Sequence, residues 1–247
     1  MEPLHLKLQG LWVGAALGEL YSTGLLNENR SPDLSVSLTL PKTRELCETA
    51  TRCLNAPADN LETLILGYER SPNLLLALLP LAFLHRAGIQ GLNATLASGL
   101  VHSDEPDKFA SAIAVTQALS WFLNPAWSPQ GFIPALLKTP AFHNTLTAAT
   151  LENIQTSLTR YECFQSDPAQ DSSQWTLDGM IGQMLYVLLS TPNEFRLTLQ
   201  RAALLMPQQP ELLMLIGALS GLHNGLRSLP LSWRLAFRTI RWDGVNS

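Results

Sequence analysis

Few side chains in this sequence are of a type and spacing that could do chemistry. Glu19 stands at the exit of a glycine-spaced helical stretch, where it could act as a general base or simply be solvated. Asp104, Glu105 and Asp107 form a carboxylate cluster that could recruit a cation, though acids in the first turn of a helix need no ligand. His102 could bridge helices through its two ring nitrogens. His223-Asn224-Gly225 reads as a helix terminator. No serine sits in a Gly-x-Ser-x-Gly elbow, and there is no Walker-type phosphate loop and no Cys/His pair at metal-ligand spacing. Cys47, Cys53 and Cys163 form no framework, which points to a reducing cytosol and to thiols that pack as small hydrophobes.

Helical periodicity dominates the elements that must position these groups. Residues 5–22 carry Gly10, Gly14 and Gly18 four apart, on nearly one helix face, which predicts a close helix crossing with no Cβ in the way. Residues 23–42 read as a loop and 43–55 as a helix capped by Thr43. Further helices are expected at 58–68, 73–87 and 91–101, and then, with Pro106 in its first turn, through Ala110 to Leu123. Others follow at 131–138, 147–162, 177–190, 193–205 and 212–224, with a short piece after Pro230. The stretch 165–174 is the most polar and the best loop. Only residues 36–40 offer a weak strand pattern, so the fold class is all-α.

The 247 residues suit one domain spanning 1–247, long enough to bury a core without staples. The apolar fraction is 46% against 15% charged, so much of the chain lies inside or part of its surface meets a partner. The net charge is −4 with no Lys/Arg run, which disfavours nucleic acid. Arginines do thicken toward the C-terminus at Arg227, Arg234, Arg238 and Arg241, as a solvated helix face would. No secretory signal is visible, and the longest apolar run, Leu74 to Leu84, falls short of a membrane span and reads as a buried helix. A cytoplasmic protein is expected. Trp121, Trp127, Trp175 and Trp242 are the aromatic candidates for an interface, with burial in the core as their other fate.

The segment GALSGLHNGLRSLPLSW, Gly217 to Trp233, describes a helix with small residues turned to a tight partner, a turn, and a Pro-started segment. It resembles the closing segment of the ADP-ribosylglycohydrolase family. Four other stretches share the resemblance. QGLWVGAALGELYSTG (9–24) is similar to the opening helix, with Glu19 at an Asp position. LPKTRELCETATRCL (40–54) sits where the family has Thr-Asp-Asp-Thr, so that Pro41 and Lys42 replace the aspartates and Thr43 is kept. PNLLLALLPLAFLHRAG (72–88) keeps Pro80 but has Pro72, Asn73 and Ala77 at the Asn, Gly and Arg positions. LASGLVHSDEPDKFASAIAVTQAL (96–119) keeps His102, with Val101 for a Thr. Upstream of Gly217, Gln208 and Pro210 replace two metal-binding aspartates, and Glu211 replaces the adjacent Thr.

The resemblance implies a compact orthogonal multi-helix bundle and two divalent cations, usually magnesium, that hold the ribose and an activated water. Such cations need converging oxygen ligands. Four carboxylates are replaced here, one of them by Lys42, whose charge at about 4 Å from a cation would cost about 1–4 kcal/mol. Glu45, Glu48 and Glu211 could compensate, but Glu211 lies about 100° round a helix from Pro210. The expectation is therefore no metal and no cofactor, in a catalytically inactive relative that binds a protein partner or an ADP-ribose-like ligand. Glu19 and Glu211 remain the candidates for catalysis, and His102, Thr43 and Asn73 those for ligand binding. The alternative is an active glycohydrolase with an altered or metal-independent site, using magnesium if it uses a metal.

Overall fold

The computed structural model describes residues 3–24, 40–55, 79, 106–123, 128–143, 145–160, 162, 177–207 and 209–239. The described residues are helices, turns and connections, with no strand among them, so the chain is all-α. The helices are α1 (Leu4–Ser22), α2 (Pro41–Asn55), α3 (Pro106–Leu123), α4 (Pro129–Leu137), α5 (Leu146–Arg160), α6 (Leu177–Ser190), α7 (Phe195–Leu205), α8 (Pro210–Asn224) and α9 (Leu231–Thr239). The helices expected at 58–68, 73–87 and 91–101 and the strand pattern at 36–40 lie outside this set, apart from helical, buried Leu79 and from Leu40, which directly precedes α2. Contacts gather into two compact units, one of Met1–Arg44 with Thr191–Ser247 and one of Glu45–Ser190.

The first unit is organised by α1 and α8. Every residue of α8 from Leu212 to Leu222 is buried, the signature of a helix apolar all round. It runs antiparallel to α1. A Cβ on Gly10 would strike the carbonyl oxygen of Gly221, one on Gly14 that of Gly217, and one on Gly18 that of Leu213, so the partner number falls as the α1 number rises. The glycine spacing thus does what it predicts, and the small residues of α8 face it. Gly225 ends α8 at φ 74°, a backbone region that disfavours any Cβ, and Asn224 Nδ2 donates to the Ser220 and Pro192 carbonyls at 2.9 and 3.0 Å. His223-Asn224-Gly225 is accordingly a helix terminator.

Beside this pair, Trp233 of α9 is buried between Tyr21 and Phe195, with ring centroids 6.0 and 6.3 Å away. The entry to α7 is fixed by buried Thr198, whose hydroxyl donates to the Thr191 carbonyl at 2.8 Å. That turn holds Asn193 and Glu194 outside the helix, which therefore begins at Phe195 rather than at 193.

At the end of α8, burial first and the Lys7 charge second push the His223 imidazole below its ordinary range. The folded chain then resists a proton that the unfolded chain accepts. Stability from the neutral ring is complete above the unfolded value of 6.5 and is lost as pH falls below that and through the lowered folded value. Thermal melts between neutral and mildly acidic pH should show a drop in Tm that is shallower in His223→Gln.

The second unit centres on α3, buried continuously from Ala110 to Leu119, and on α6, buried from Ile181 to Leu189. Helix α4 starts two residues before the expected 131 because Ser128 Oγ accepts from Gly131 N at 3.3 Å and Pro129 takes the first helical position, where its missing N–H costs nothing. Trp121 is half-buried, edge-on to Phe132 at 5.2 Å, rather than standing free on the surface. Trp127, Trp175 and Trp242 lie outside the described residues.

Candidate functional site

Helix α2 begins with Pro41, so its early backbone donors are Lys42 N and Thr43 N. Neither has an acceptor within the helix. Both are met by Glu19, from the last turn of α1. Lys42 N donates to Glu19 Oε1 at 2.9 Å, Thr43 N to Oε2 at 2.8 Å, and Thr43 Oγ1 to Oε2 at 2.6 Å. Glu19 and Thr43 are both buried. A carboxylate here also complements the positive end of the helix dipole.

Two expectations change as a result. Thr43 is not the cap of α2 but its third residue, and the helix starts at Pro41 because a distant carboxylate does the capping. Glu19 is not a solvated side chain at a helix exit but a buried acceptor of three hydrogen bonds.

The Lys42 ammonium reaches the other way. Its Nζ lies 3.0 Å from Glu211 Oε1, with the lysine side chain 35% exposed and the glutamate 17%. Glu211 is in the first turn of α8, which is where the antiparallel register brings the start of α8 to the end of α1. Glu19 and Glu211 are therefore brought to the same end of the helix pair and joined through one residue, Lys42. A third of the lysine is in water, so screening keeps the ion pair weak. A double-mutant cycle of Lys42→Met and Glu211→Gln, read by chemical denaturation, should give a coupling of about 0.5 kcal/mol that fades in high salt.

These residues do not fit the cation pair that the resemblance implies. The Glu19 oxygens are engaged by donors from α2, and the charge beside Glu211 is an ammonium rather than a ligand. Among the described residues no group of three or more His, Cys, Asp or Glu is placed to hold a metal. Glu45 is half-buried and Glu48 exposed. Burial first, and then the Glu48 charge, push the Cys47 thiol up, which makes it a reluctant nucleophile at neutral pH. Asn73, His102, Gln208, Asp104 and Glu105 lie outside the described residues.

The fold and this cluster define an all-helical protein whose buried acid is a structural acceptor and whose neighbouring lysine is ion-paired. None of the described helices is long and apolar enough to cross a membrane. Comparison with known protein families, with curated proteins and with solved structures found no match.

Proposed function

We propose that this chain is a degenerate ADP-ribosylglycohydrolase-like protein, a cytoplasmic single-domain bundle of that type that no longer hydrolyses and acts by binding a protein or an ADP-ribose-like ligand. The observation that carries the reading is Lys42. It stands where the resemblance expects a metal-binding aspartate, and its ammonium, ion-paired with Glu211, puts a positive charge where a cation would have to bind. The exchange of acids for Pro41, Lys42 and Pro210 falls on the metal positions, while the glycines that let α1 and α8 meet are kept. Loss of chemistry with retention of scaffold is a familiar separation of function from fold.

The test is calorimetry of the chain with magnesium, an assay for ADP-ribose release from a modified protein, and thermal shift with free ADP-ribose. The proposal expects no magnesium heat and no release. It expects a thermal shift if the ligand is ADP-ribose-like, since ligand at 100 times its Kd stabilises by about 2.7 kcal/mol. Magnesium-dependent release would overturn it in favour of an active glycohydrolase with an altered site. The observation on that side is that Glu19 and Glu211 lie on either side of one residue, Lys42.

A further inference from the structure

We draw no further inference here: the strongest candidate, the half-buried Arg234 side chain on α9, whose covered Nε has no hydrogen-bond partner among the described residues, carries nothing, because a nitrogen closed off from water is equally closed to an anionic ligand and nothing in the structure shows what would meet it.

Discussion

A chain carrying Gly14→Ala is expected to melt several degrees below the parent. The added methyl would land on the carbonyl oxygen of Gly217 across the α1/α8 seam, and Gly217→Ala would do the same to Gly14 in return. The obstacle is backbone in the middle of a buried helix, so no side chain can swing aside. The helices must part, and a gap opens along a seam that also holds Gly10 against Gly221 and Gly18 against Leu213. Two effects compete. Alanine improves helix propensity by about 1 kcal/mol. Overpacking a well-packed contact costs about 1–3 kcal/mol, and more where nothing can yield. With backbone on both sides the steric cost wins, and a net loss of about 2 kcal/mol follows, which is about 4–8 °C in Tm for a chain of this size. Gly131→Ala is the control. A Cβ there would meet only Ser128 Oγ at 3.4 Å, an ordinary contact, so propensity decides and stability should hold or rise. Equal melting of the Gly14→Ala and Gly131→Ala chains would show that the α1/α8 seam is not as close as described.

The same seam shows what the residues disclose in isolation. Glycines at intervals of four declare that a helix wants a close neighbour, because the spacing itself fixes the face. The run Gly217-x-x-x-Gly221 declares the same for a second helix. That the two are each other's partners, antiparallel with Gly14 on Gly217, is a pairing across about two hundred residues, and no local pattern encodes it. The start of α2 was illegible for a related reason. A threonine ahead of an apolar run looks like a cap, and Pro41 looks like loop, so residues 41 and 42 read as connection. Glu19 reverses that reading by supplying from α1 the acceptors that α2 lacks. Its burial could not be read from its neighbours, since what it meets lies 23 and 24 residues further along the chain. One signal was present in the sequence: a proline followed by two orphan donors needs an acceptor from somewhere.

Glu19→Ala should be the more damaging change at the cluster. It leaves Lys42 N, Thr43 N and the Thr43 hydroxyl without their acceptor, in a place where Thr43 is fully buried. Each buried donor left unpaired costs about 1–3 kcal/mol, and some relief comes from water entering beside half-exposed Lys42. A loss of about 3 kcal/mol is expected, with amide exchange at Lys42 and Thr43 accelerating before the rest of the chain. Glu19→Gln distinguishes the charge from the shape. The amide has one oxygen, so whichever way it turns its NH2 opposes a backbone N–H, at Lys42 in one orientation and at Thr43 in the other. The better orientation keeps the oxygen on Thr43, where it serves both the amide and the hydroxyl, and concedes Lys42. About half the alanine penalty should then remain. Thr43→Val, which keeps its backbone bond to Glu19 and loses only the hydroxyl, should cost about 1 kcal/mol. The order Ala, Gln, Val in decreasing loss of stability follows from the bond count at each atom. If Glu19→Gln instead melted like the parent while abolishing release of ADP-ribose, the carboxylate would be a catalytic group rather than the acceptor that starts α2.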